Sequence, residues 1–130
     1  MTQSMLSSAS ALNAHTIKMD VIAHNVVNVN TPNFQPSAVT MQESFAQTIQ
    51  RARAGTSPMQ VGSGVSVASI SRSTAPGAEI KVGDTTEVMS NTNLAVEMTN
   101  MIVTQRAFEA NARVIPVVDE MMEEVVNLKQ

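Results

Sequence analysis

Residues 93–128 read NLAVEMTNMIVTQRAFEANARVIPVVDEMMEEVVNL, and this stretch decides the fold. Apolar side chains recur in it at steps of three and four: Leu94, Met98, Met101, Phe108, Ala112, Ile115, Met122 and Val125, with Gln105 and Asp119 as interruptions. That period marks a helix with one buried face. Asn91, Thr92 and Asn93 offer side-chain oxygens to the first unpaired N–H groups, and Glu97 stands where the helix dipole favours an anion. A helix of this length spans roughly 50 Å, whereas a globule of this size has a radius of gyration of only ~14 Å. It reads as one arm of a helical hairpin, or as a helix that packs against neighbouring subunits. Pro116 falls inside it, removes the bond to the Ala112 carbonyl and predicts a kink.

A second helical pattern opens the chain. Between residues 4 and 28, Met5, Ala9, Leu12, Thr16, Met19, Ala23 and Val26 repeat with the same spacing, a heptad-like seam that Leu6, Ile17 and Ile22 widen. Ser4 is the expected N-cap. The run closes in Asn28-Val29-Asn30-Thr31-Pro32-Asn33-Phe34, where Pro32 disfavours a helical Thr31 and asparagine tolerates the left-handed conformation of a stop. Each seam covers the other if the two helices pair as an antiparallel coiled coil. Leu6, Ile17, Ile102, Val117 and Val126 then remain as apolar flanks in want of partners.

The middle changes character. Residues 35–58 read as a linker containing a short helix from Gln42 to Ala54, on the spacing of Phe45, Ile49 and Ala52, broken by Gly55-Thr56-Ser57-Pro58. Residues 59–90 read as a small β insertion: Val65, Val67 and Ile70 alternate with small polar residues, and Glu79-Ile80-Lys81-Val82 ends in Gly83-Asp84. The expected fold is mainly α: terminal helices in 1–34 and 91–130, a linker at 35–58 and a β-hairpin insertion at 59–90.

Composition narrows the function. Three Phe, no Tyr and no Trp leave little aromatic core, and ten Met are suited to surfaces that repack. A net charge of −3 with no basic patch gives no footprint for nucleic acid. The absence of cysteine rules out disulfides and thiolate metal sites. No apolar run approaches the ~20 residues of a membrane span, so membrane insertion is not expected. The start of the chain lacks the cationic and apolar regions of a cleavable signal peptide.

Catalytic and metal constellations are weak. His15 and His24 lie outside zinc-type spacing, and Asp20 with His24 reads as a helix-surface pair. Asp119, Glu120, Glu123 and Glu124 read as a solvated face, and Gly62-x-Gly64 lacks the third glycine and following helix of a phosphate cradle. Asn25, Asn28 and Asn30 read as stop and turn chemistry. Asn100 and Gln105 are placed to fix register between helices, and Arg106, Glu109 and Arg113 to form ion pairs. No cofactor, metal or catalytic residue is expected.

The termini resemble a known family. Residues 8–34, with Asn25, Asn28, Asn30, Thr31, Pro32 and Phe34, are similar to the opening of bacterial flagellar rod and hook proteins. Residues 90–111, with Asn93, Gln105, Arg106 and Asn111, and then Asp119-Glu120-Met121, are similar to their closing segment. The short middle resembles an inner-rod subunit, whereas the C-terminal wording is closer to hook and distal-rod proteins. Asn33 stands where a turn glycine is common, and His24 where Asn or a small residue is usual. The resemblance implies a structural subunit of the basal-body rod that polymerises through its terminal helices into an axial tube, transmitting torque and forming the export conduit. It implies other copies, other rod and hook axial proteins and the flagellar type III export apparatus as partners, and a place in the periplasm-spanning rod. Its interface residues would be Met5, Ala9, Leu12, Met19, Val26, Leu94, Met98, Met101, Phe108, Ile115, Met122 and Val125. The alternative is an assembly adaptor or regulator that binds axial proteins through rod-like helices without joining the rod.

Overall fold

The computed structural model describes residues 2–44, 47–49 and 59–128, with 47–49 and 59–61 described by their backbone alone. Helix α1 spans Thr2–Val27 and helix α2 spans Leu94–Asn127, separated by six strands. Asn93 caps α2, its Oδ1 accepting from the N–H groups of Ala95 and Val96, and Glu97 occupies the first turn. α1 ends where asparagine chemistry ends it: the Asn28 amide donates to the His24 carbonyl at 2.9 Å, and the Thr31 hydroxyl donates to Asn28 Oδ1 at 3.0 Å. Asn33 has φ 59°, the left-handed conformation read from the sequence. Ser4 is not the N-cap, because α1 has already begun at Thr2.

The strands form three separate antiparallel pairs. β1 (Ser37–Glu43) pairs with β4 (Val65–Arg72), with a register shift between Thr40 and Met41. β2 (Gln47–Ile49) pairs with β3 (Met59–Val61), and β5 (Glu79–Val82) with β6 (Thr85–Val88). This corrects two expectations. The helix expected over Gln42–Ala54 is replaced by strand at Gln42, Glu43 and 47–49; Phe45, Ala52, Ala54 and the break at 55–58 lie outside the described residues. The β structure also begins in the stretch taken as linker, and it is more than one hairpin. Only β5–β6 is joined by a two-residue loop, Gly83-Asp84, with Gly83 at φ 66° as a glycine-first hairpin turn requires.

α1 packs on α2, β1 and β4, whereas α2 packs on α1 alone among the described elements. The end of α1 meets the start of α2, and Val118, far along α2, is buried, so the two helices run side by side in opposite directions. The most buried residues are not the expected ones. α1 buries Ser8, Ala14, Ile22 and Asn25 among α2, β1 and β4 taken together, while Met5, Leu12, Met19 and Val26 are half-buried and Ala9 is exposed. On α2, Met101, Ile115 and Met122 are half-buried, but the buried Thr104 and Val118 fill the positions next to the supposed interruptions Gln105 and Asp119. Leu94, Met98, Phe108 and Val125 face outward. Pro116 sits within the continuous helix α2.

Candidate functional site

Two features have functional content: a polar junction where three segments meet, and the outward faces of the helices. The junction is built on Asn25, which is 1% exposed. Its Oδ1 accepts from the Ser37 backbone N–H at 2.9 Å, and its Nδ2 donates to the Ser37 carbonyl at 2.7 Å and to Glu97 Oε1 at 3.2 Å. One side chain thus ties the end of α1 to the start of β1 and to the first turn of α2. Both backbone groups of Ser37 are satisfied by an amide that can donate and accept at once, which a carboxylate cannot do. Asn25 is therefore more than the helix-stop residue expected from the sequence. A cavity of about 160 Å³ adjoins the junction, lined in part by Lys18, Ile22, Val39 and Asn100.

The loop between α1 and β1 is clipped to the approach of α2. The Asn33 N–H donates to the Val88 carbonyl at 2.8 Å, and the Asn91 N–H to the Phe34 carbonyl at 3.1 Å. The Phe34 ring meets the His24 imidazole edge-on at 5.5 Å. Asn30, Thr31 and Pro32 are exposed. At the other end of α1, Ser10 Oγ accepts from the Val65 N–H at 3.1 Å, and Gly64 comes close enough to Ser7 and Ser10 that a Cβ there would collide with the Ser10 hydroxyl. Gly64 thus serves strand-to-helix approach, whereas a Cβ at Gly62 would meet the Glu43 carboxylate.

Further along α2, Arg106 pairs with Glu109 at 2.9 Å, and Gln105 donates to the same carboxylate at 3.1 Å. Gln105 is exposed and does not set register within the chain; the Asn111 amide donates to the Ala107 carbonyl of its own helix at 2.8 Å. Among the described residues no cluster of His, Asp and Glu is arranged to hold a metal ion, and no helix is long and apolar enough to cross a membrane.

Among the described residues His15 is the one base with a perturbed pKa. Burial, helped by the Lys18 ammonium one turn on, holds its pKa below 6.5, and its buried Nδ1 has no hydrogen-bond partner among the described residues. The unfolded chain therefore binds more protons than the folded one between the folded value and 6.5. Stability contributed by the neutral imidazole is full above that window and falls as pH drops through it. Thermal melts between about pH 7.5 and 5.5 should show this decline, and His15→Gln should remove that part of the slope.

The outward faces are unusually apolar for a single chain. Leu6, Val27, Ile102, Val103, Val117 and Val126 are each more than half exposed, while Ser8, Asn25 and Thr104 are buried between the elements. Ile22 and Val118 are buried beside these polar residues, but many large apolar side chains stand outside, more than a self-sufficient helical pair leaves exposed. Phe108, at 39% exposure, belongs to this outer set. Hydropathy alone finds the outer set and misses Ser8, Asn25 and Thr104; the only signal for them is their position on the 3-4 line once it is moved by one residue.

Comparison with known proteins covers both ends of the chain. The family model for flagella basal body rod protein matches residues 5–35, and that for the flagellar basal body rod FlgEFG protein C-terminal region matches residues 88–128. Flagellar hook protein FlgE of Borreliella burgdorferi is 42% identical over 76 residues, 54% of this chain and 17% of that protein. Its counterpart in Treponema pallidum is 36% identical over 94 residues, 68% of this chain and 20% of that protein. Flagellar basal-body rod protein FlgG of Caulobacter vibrioides is 32% identical over 83 residues, 58% of this chain and 32% of that protein. The chain spans less than a third of the length of these relatives. The matched segments are the two terminal helices with the turn after α1 and the cap of α2, so the chain belongs to the bacterial flagellar basal-body rod and hook family of axial proteins.

Proposed function

We propose that the chain is a structural subunit of the flagellar rod, assembling through its terminal helices into an axial tube that carries torque and encloses the export path. It performs no reaction. Its partners are further copies, other rod and hook proteins and, before assembly, the type III export apparatus; its place is the flagellar basal body. The observation that carries this reading is the apolar surface left open on the helices, with Ile102 60% and Val126 69% exposed. At roughly 25 cal/mol per Å² of apolar area, covering such faces is a driving force that only assembly can realise. On this reading α1 and α2 behave as a coiled-coil pair whose outer residues, Met98, Phe108 and Val125 among them, meet neighbours. The bend expected at Pro116 would direct the last turns of α2 onto a differently tilted neighbour.

Phe108→Ala tests it. Because Phe108 is part-exposed in the single chain, truncation should change the monomer's stability by no more than about 1–2 kcal/mol. Once a neighbour covers the ring, the loss should approach the roughly 3–5 kcal/mol of a buried phenylalanine. The variant is expected to fold and to be exported, yet to fail in polymerisation and swimming. Normal motility would remove Phe108 from the interface and weaken the reading.

A further inference from the structure

β1 belongs to a two-stranded ribbon, so one of its edges has no strand beside it among the described residues. The ladder to β4 shows which groups that edge presents. The Ser73 N–H donates to the Pro36 carbonyl at 2.8 Å, and the Ser44 N–H to the Gly64 carbonyl at 2.8 Å. Facing pairs alternate between bonded and non-bonded along an antiparallel ladder, so Ser37, Val39 and Met41 turn their N–H and C=O groups away from β4. At Ser37 both groups are taken by the Asn25 side chain, at 2.9 and 2.7 Å, the two bonds that a residue of an added strand would make. At Val39 neither group has a hydrogen-bond partner among the described residues. Val39 lines the cavity of about 160 Å³ together with Lys18, Val21, Ile22, Glu97 and Asn100. Lys18 is half-buried there and has no ion-pair partner among the described residues.

We propose that the free edge of β1 docks an extended peptide segment of another protein, antiparallel to β1, with a large apolar residue opposite Val39 and an acidic residue two positions before it. An added strand satisfies the Val39 N–H and C=O and continues the pairing that Asn25 begins at Ser37. Residues opposite one another share a face of the sheet, and Ser37, Val39 and Met41 are the less exposed positions of β1, so the apolar side chain enters the cavity. A space of roughly 150 Å³ holds a group the size of benzene, which suits a leucine or methionine side chain. Charge sets the direction. β1 runs back along α1: Ser37 is bonded to Asn25, whereas Val65, opposite Glu43, is bonded to Ser10. The segment's residue opposite Met41 therefore lies toward Lys18, where a carboxylate finds an unpaired ammonium, while Glu97, bonded to Asn25, disfavours a carboxylate at the other end. The site lies on a sheet edge, apart from the helix faces that carry the rod reading, and is complete in the single chain.

The test follows the backbone amides of the dilute full-length chain by NMR and hydrogen exchange while a peptide is added at millimolar concentration. The peptide is capped and threonine-based, with one leucine and a glutamate two positions before it. The expected result is a shifted Val39 amide whose exchange slows at least tenfold, with Ser37 little changed because Asn25 already pairs it. The same peptide N-methylated at the leucine cannot donate to the Val39 carbonyl and should give no protection. Replacing the peptide's glutamate by glutamine should weaken binding several-fold without any change to the protein. Lys18→Glu should weaken the parent peptide at least as much, and a peptide with lysine in place of glutamate should recover the loss. No protection of Val39, or equal binding of the N-methylated peptide, overturns the docking site. Protection that is present without peptide, or that rises with protein concentration alone, also overturns it, by showing the edge closed within the chain or covered by a second copy.

Discussion

Asn25→Asp is expected to be the most damaging single-atom change in the chain. It replaces the Nδ2 that donates to the Ser37 carbonyl and to Glu97 Oε1 with an oxygen that can donate to neither. The new carboxylate would stand beside a carbonyl and a second carboxylate at a position 1% exposed to solvent. Both contacts become repulsive and the Ser37 carbonyl loses its donor, so the cost should be roughly 3–5 kcal/mol. In thermal melts that is a drop of about 10–20 °C for a chain of this size. The sign with pH is also fixed. Burial and the Glu97 charge raise the pKa of the introduced acid above its unfolded value, so the folded variant binds more protons than the unfolded one. Its deficit relative to the parent is therefore full at neutral pH and shrinks as pH falls through the raised value, because the protonated acid can donate again. A variant that melts within a few degrees of the parent at neutral pH would show that Asn25 does not hold α1, β1 and α2 together.

Gly77→Ala is the second large effect. The strap before β5 crosses the segment that leads from β6 to α2, and a Cβ at Gly77 would fall inside the van der Waals envelope of the Met89 carbonyl oxygen. The obstacle is backbone, so no side chain can rotate away. Two bonds depend on the crossing: the Met89 N–H donates to the Ala78 carbonyl at 2.8 Å, and the Asn91 amide donates to the Ala75 carbonyl at 3.2 Å. Asn91 also donates its N–H to Phe34, so pushing the strap away disturbs the clip on the turn after α1. Overpacking of this kind should cost about 2–3 kcal/mol. Gly83→Ala is the matched control. Nothing lies within 4 Å of its added methyl, so only the positive φ is penalised, at about 1 kcal/mol. Equal melting temperatures for the two variants would mean that the crossing at Met89 is loose.

Long-range consistency explains what the sequence disclosed. The stop of α1 and the start of α2 were legible because their signals are local: Asn93 two and three residues before the N–H groups it caps, Asn28 reaching back to His24, Asn33 in the left-handed region. The β5–β6 turn was legible for the same reason. β1 was legible only at its start, where Pro36, Val39 and Met41 argue for extended chain; its pairing was not, because its partner β4 begins more than twenty residues later. The tertiary pairing overrides the local helical spacing that Gln42 and its neighbours display. The helix seam was misplaced by one position for a more instructive reason. Reading periodicity assigns the largest apolar face to the interior, which holds for a chain that must bury its own core. Here Thr104 and Asn25 are buried, and Met98, Phe108 and Val125 are not. On the function proposed above, the exposed part of the apolar stripe is the surface that meets other chains, and a sequence read as a lone molecule does not separate that part from the buried line.

The central claim is that the protein is built into the flagellar axis. The direct measurement is quantitative mass spectrometry of hook–basal bodies purified from flagellated cells and washed with detergent and high salt, with electron microscopy of the same fraction. The account predicts that the chain remains in the washed particles in amounts comparable to other axial proteins, and that cells without it yield particles with an interrupted rod. Recovery of the chain only in the soluble wash, with intact rods in cells that lack it, would contradict the account and identify it instead as a protein that handles axial subunits without joining them.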